Sequence, residues 1–145
     1  MNQQTEQPSH AGDAKRTARL AAVQALYQME YGQERRDGLH LEEGEHAAKP
    51  HRGLMLDIIL CVQDRQVTID EILTKSLDAD WNLDRLERVL RSILRAGVAE
   101  LLMNARTPVP ILISDYIDVT HAFFGGKEPG LVNAVLDRAA KLLRS

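Results

Sequence analysis

A chain of 145 residues that is 44% apolar but only 4% aromatic is long enough for one domain, and it must build its core from aliphatic and alanine side chains, which suits close-packed helices and argues against a β-sandwich. A net charge of -3 and a sequence pI near 5.9 exclude polyanion binding by the molecule as a whole, so any nucleic-acid site must be a local patch. The single cysteine, Cys61, can make no intramolecular disulfide, and there is neither a leader pattern nor a run of about 18 apolar residues, so a cytoplasmic protein is expected.

Residues 1–14 are polar and are expected to form a disordered tail. From Lys15 to Tyr31 the run KRTARLAAVQALYQMEY reads as a helix ending at Gly32. Ala18, Ala22, Ala25, Leu26 and Met29 share a flat, small-residue side on which another helix can pack closely. The opposite side carries Arg16, Leu20, Gln24, Tyr27 and Tyr31, flanked by Arg19 and Val23, and both arginines are expected in solvent. Residues 33–50 lack periodicity and read as a surface loop with a short helical turn around Gly38 to His46.

A second helix is expected over Arg52 to Gln63, with Leu54, Ile58, Cys61 and Val62 inward, and a third follows with Val67, Ile69, Ile72, Leu73 and Leu77. Asp78 to Asn82 interrupts the pattern, with Trp81 expected to plug the junction. The strongest periodicity runs from Leu83 to Met103, where Leu86, Val89, Leu90, Ile93, Leu94, Gly97, Val98 and Leu101 make one stripe. Arg85, Arg88, Arg91, Ser92, Arg95 and Glu100 form its polar side, and Asp84 and Glu87 suit the positive end of the helix dipole. Such a helix needs neighbours along most of its length, so it should be the centre of the domain. Pro108 and Pro110 end it and start a helix built on Ile111, Leu112, Ile113, Ile117, Val119, Ala122, Phe123 and Phe124. After Gly125-Gly126, a last helix over Gly130 to Leu143 turns Leu131, Val135, Leu136, Ala139 and Leu142 inward.

Little in the chain suggests catalysis. His10, His40, His46, His51 and His121 show no metal-ligand spacing. The carboxylates Asp115 and Asp118, and Asp78, Asp80 and Asp84, read as helix caps and solvated groups rather than an acid/base pair. Ser92, Ser114 and Cys61 lack a nucleophile context, and GGKEPG at 125–130 lacks the spacing of a phosphate loop. The first helix offers more. Lys15, Arg16 and Arg19, followed by Gln24 and Tyr27, combine phosphate-neutralising charge, a hydrogen-bonding amide and a stacking ring, which suffices for single-stranded RNA. On spacing alone, a solvated helix end and a core tyrosine explain the same residues.

KRTARLAAVQALYQME, WNLDRLERVLRSILRAGVAELL, VPILISDYIDVTHAFF and LVNAVLDRAAKLLR, in that order over residues 15–145, resemble the NusB family of bacterial transcription antitermination factors. The resemblance implies an all-α fold, two small helical bundles packed into one globular domain, with no enzymatic activity and no cofactor. It implies binding to the boxA element of nascent ribosomal RNA together with NusE, a small-subunit ribosomal protein, and thereby an indirect action on the RNA polymerase elongation complex. Carried over residue by residue, the RNA set is Lys15, Arg16, Arg19, Gln24 and Tyr27; separately, Lys127 in the GGKEPG loop is expected to extend the path. The partner set is Arg91, Arg95, Glu100 and Asp115. The chain departs from many relatives at Leu90, Ala99 and Ala134, where an acidic residue, a tyrosine and a glycine are common. The competing reading is a helical protein-interaction module without its own RNA specificity. The same bundle also precedes ribosomal RNA cytosine methyltransferase domains, and the absence of residues after Ser145 favours the free-standing adaptor. A stripe facing a core and one facing a twin copy look alike, so monomer and homodimer both stand. With both arginines in solvent, removing Arg16 and Arg19 together should weaken RNA binding and leave thermal unfolding unchanged.

Overall fold

The apolar spacing closes into six α-helices, and no strand occurs among the described residues, which in this computed structural model are 10–32, 52–103 and 106–144. They are α1 (His10–Tyr31), α2 (Arg52–Asp64), α3 (Gln66–Ser76), α4 (Arg88–Met103), α5 (Val109–His121) and α6 (Glu128–Arg144), with a 3₁₀ turn at Leu83–Arg85 before α4. The helical turn expected around Gly38 to His46 lies outside the described residues. So does the expected tail up to residue 9, whereas α1 begins at His10, ahead of Lys15.

The strongest stripe in the sequence is the hub of the fold. α4 packs against each of the other five helices, and Ile93, Leu94, Ala96, Val98 and Ala99 have no exposed surface. α1 and α2 pack on each other and on α4, and α5 and α6 do the same from another side, with α3 set against α4 and α6. The two bundles thus share α4 and one continuous core. Neighbours within the chain cover almost all of this stripe. Two devices allow this tight packing. The α1 side made of Ala18, Ala22 and Ala25 is fully buried, and at Gly97 a Cβ would stand 2.8 Å from Leu136 Cδ2 on α6, so glycine sets the approach of α4 to α6.

The expected single helix from Leu83 to Met103 is broken at Leu86 and Glu87. Asn82 Oδ1 accepts from the Asp84 amide at 2.9 Å, Leu86 is extended, and Glu87 Oε1 accepts from the Val89 amide at 2.9 Å. Two local caps hold the interrupted arrangement by satisfying the Asp84 and Val89 amides in place of helical carbonyl partners. Trp81 does not plug this junction and is exposed; buried Leu77, Leu83 and Leu86 fill it instead. Val67, Ile111, Phe123 and Leu142, all expected inward, also face out. Val67, Ile111 and Leu142 lie at the edges of their helical stripes, where spacing alone does not choose between core and rim, while Phe123 lies in the turn after α5, which ends at His121 instead of running on to Phe124. Among the described residues no helix is long and apolar enough to cross a membrane.

Candidate nucleic-acid interface

α1 presents its first turns to solvent. Lys15, Arg16 and Gln24 are exposed and Tyr27 is half-buried. Lys127 is exposed in the turn leading into α6, with no hydrogen bond or ion pair to α1 among the described residues.

Arg19 is the correction. Expected in solvent, it is only 2% exposed. Its Nε donates to Glu100 Oε1 and its Nη2 to Glu100 Oε2, both at 2.7 Å, while Nη1 donates to Asp115 Oδ2 at 2.6 Å. Tyr116, fully buried, donates its hydroxyl to Glu100 Oε1 at 2.8 Å, and Arg19 Cζ lies 5.9 Å from the centre of its ring. α1 turns Arg19 inward because Ala18 and Ala22 on the same side leave room for a long side chain between α4 and α5. Burial works against the Arg19 charge, but the hydrogen bond and charge of Glu100 outweigh it and raise the guanidinium above its ordinary value. A guanidinium held by two carboxylates in this interior has no face left for a phosphate.

The residues expected to face a protein partner lie in two internal networks. Glu100 and Asp115 complete the Arg19 cluster. Arg91, nearly buried, donates through Nη1 to the carbonyls of Leu83, Asp84 and Leu86 at 3.4, 3.1 and 3.3 Å, and through Nη2 to Glu30 on α1. It thus takes up the Asp84 and Leu86 carbonyls at the break before α4 and shares the Leu83 carbonyl with the Leu86 amide, 3.2 Å away. Arg95 forms a two-toothed pair with Asp70 on α3, Nε to Oδ1 at 2.9 Å and Nη2 to Oδ2 at 3.0 Å. A cleft of about 290 Å³ lies beside this second network, where Glu30 and Arg95 already face each other at 3.7 Å. Among the described residues no three metal-ligating side chains converge, and Cys61, half-buried, has its thiol pushed up by burial, the opposite of an activated nucleophile.

Tyr116 is the member of the Arg19 cluster missed by reading the sequence, and its only signal was a position on an apolar side of α5. Burial, then the neighbouring Glu100 charge, push its phenol well above the ordinary value. In the unfolded chain the phenol ionises near pH 10, whereas the folded chain keeps its proton above that, so the hydroxyl's stabilisation is complete below about pH 10 and declines as pH rises further. Tyr116→Phe should cost about 1–2 kcal/mol at pH 7, and the gap from the parent protein in urea unfolding should shrink by about 1.4 kcal/mol per pH unit above about pH 10. A gap unchanged to pH 11 would show that no such proton is retained.

Comparison with known proteins places this arrangement. Residues 16–141 match the family model described as NusB family. The transcription antitermination protein NusB of Rhizobium etli (strain CIAT 652) is 40% identical over 155 residues, covering 99% of this chain and 96% of the relative. That of Rhizobium rhizogenes (strain K84) is 39% identical over 154 residues, with the same coverage. Among solved structures, T. maritima NusB superposes with a TM-score of 0.72 at 28% identity, covering 87% of this chain and 89% of that one. A structure described as antitermination factors NusB and NusE in complex with dsRNA gives a TM-score of 0.68 at 24% identity, covering 88% and 96%, and shares the fold.

Proposed function

The chain belongs to the NusB family, whose curated relatives are transcription antitermination proteins, and on that premise we propose that it binds boxA-type RNA of nascent ribosomal transcripts jointly with the ribosomal protein NusE. Its role is antitermination and not catalysis. The observation that carries the RNA reading is the split of α1 into two sides. One is locked into the core through Ala18, Arg19 and Ala22, and the other holds Arg16 and Gln24 in solvent with Tyr27 half-exposed beside them, while Lys15 is exposed at the start of the helix. A rigid helix thus offers charge, amide and ring to a single strand at little entropic cost. Lys127 extends the path. Arg19 serves the site from below by fixing the register of α1 on α4 and α5.

Arg91, Arg95, Glu100 and Asp115 act on the partner surface through the shape they impose on α4 and its neighbours. The protein acts in the cytoplasm, and its effect on the polymerase elongation complex passes through the RNA and the ribosomal protein.

The test is binding of a short boxA-like RNA against a scrambled one, with and without purified NusE, at physiological salt. Tighter and sequence-dependent binding with NusE is expected. Arg16→Ala should weaken the boxA-like RNA roughly tenfold and flatten the salt slope by about 0.7, the value for one fewer phosphate neutralised on a single strand. Its thermal unfolding should not move, because the residue is exposed. No discrimination between RNAs in either condition would leave the helical interaction module as the function.

A further inference from the structure

Arg16 is exposed yet not unopposed. Its Nη1 lies 3.7 Å from Asp13 Oδ1, and its Nε lies 3.7 Å from Asp115 Oδ1 and 3.5 Å from Asp118 Oδ2. These distances are ion pairs beyond hydrogen-bond range, so the fork of donors on the guanidinium is attracted without being geometrically satisfied. The same end of α1 also buries Arg19 against Glu100 and Asp115. Two guanidiniums therefore meet four carboxylates, Asp13, Glu100, Asp115 and Asp118. Where the site needs to attract phosphate, its immediate surroundings are acidic.

The three carboxylates around Arg16 are not equivalent. Asp115 uses Oδ2 to hold buried Arg19, so it belongs to the core as much as to the surface. Asp13 lies one turn away on α1 itself. Asp118, half-exposed on α5, pairs with Arg16 across the helix boundary and contributes to no buried contact among the described residues. We infer that Asp118 is a counter-charge that holds Arg16 against α5 and sets an upper limit on the RNA affinity of the free chain. A phosphate oxygen pair gives the guanidinium two short, aligned bonds in place of distant ion pairs, so RNA displaces Asp118 but does so against its charge. The inference rests on the assignment of Arg16 to RNA.

The experiment measures binding of the boxA-like RNA to Asp118→Ala, to Asp137→Ala and to each change combined with Arg16→Ala. Asp137 is the control: it is similarly exposed, and its partner Lys141 lies on its own helix at 3.2 Å. Asp118→Ala should bind about threefold tighter near 0.15 M salt, with the gain fading as salt rises and screening shortens the reach of the charge. Asp137→Ala should bind as the parent does. In the Arg16→Ala background the gain from Asp118→Ala should vanish, because there is no longer a guanidinium to release. An equal gain from Asp137→Ala, or a gain that survives without Arg16, would reduce the effect to net charge and overturn the inference. Weaker binding by Asp118→Ala would overturn it too, by making Asp118 a residue that positions Arg16 for RNA. If Arg16→Ala itself binds RNA like the parent, the RNA reading of α1 fails and the inference falls with it. If Arg16→Ala loses RNA while Asp118→Ala is neutral, only the inference fails.

Discussion

Replacing Arg19 by methionine should lower stability by about 3–5 kcal/mol and the thermal midpoint by about 10 °C or more, even though the residue reads in the sequence as part of a basic, solvated helix end. Methionine keeps much of the volume but leaves Glu100, which has no exposed surface, as a charge with only the Tyr116 hydroxyl for company. The cost comes from that unpaired charge more than from the missing attraction, since a buried pair gains little over an apolar pair of the same shape. Arg19→Met together with Glu100→Leu should therefore recover much of the loss. Asp115, partly open to solvent, can hydrate, and the Tyr116 hydroxyl retains the Ala96 carbonyl at 3.3 Å. A denaturant titration of the two single variants and the pair checks this. Equal destabilisation by the single and double changes would show that the ion pair itself supplies net stability. The same pair of measurements separates the two arginines of α1. Arg16→Ala should move RNA binding without moving the melt, and Arg19→Met should move the melt first.

Leu136→Ala should cost about 3–4 kcal/mol, because Leu136 is fully buried and fills the notch that Gly97 opens between α4 and α6. Gly97→Ala alone brings opposing terms. Alanine favours helix over glycine by about 1 kcal/mol, while overpacking costs about 1–3 kcal/mol. With Leu136 Cδ1 and Cδ2 only 2.9 and 2.8 Å from the added carbon, overpacking should win by about 1 kcal/mol. In the Leu136→Ala background the sign should reverse, since the new methyl then enters empty space and the helix preference remains. Urea unfolding of the four proteins gives the cycle. A Gly97→Ala effect with the same sign in both backgrounds would mean that the two helices yield at this point, and that glycine is not what sets their distance.

Much of the architecture could be read along the chain. The stripe of α4, the alanine side of α1, the proline start of α5 and the inward set Val135, Leu136 and Ala139 of α6 were all legible, because apolar spacing records which side of a helix faces in. The four stretches that resemble the NusB family carried the family assignment in the same way. Legibility failed at stripe edges. Val67, Ile111 and Leu142 have the spacing of core residues, but whether an edge position is covered depends on how far the neighbouring helix extends.

The candidate site divides along the same line. Arg16 and Gln24 could be placed on the outer side of α1 from helical periodicity, and there they stand; Lys15 is exposed because it precedes the packed part of the helix. Whether a charged residue next to that side is solvated or buried depends on what it meets, and Arg19 meets Glu100 from 81 positions away and Asp115 from 96. Periodicity is a local property of one helix, so the sequence by itself determined most of the helices, the centres of their inward sides, the hub and the family, but not the break before α4 or the stripe edges. Charge burial is a property of pairs brought together by packing. Only the tertiary structure decided that Arg19, Arg91, Glu100 and Asp115 hold the helices together, leaving Arg16 as the exposed guanidinium at the start of α1.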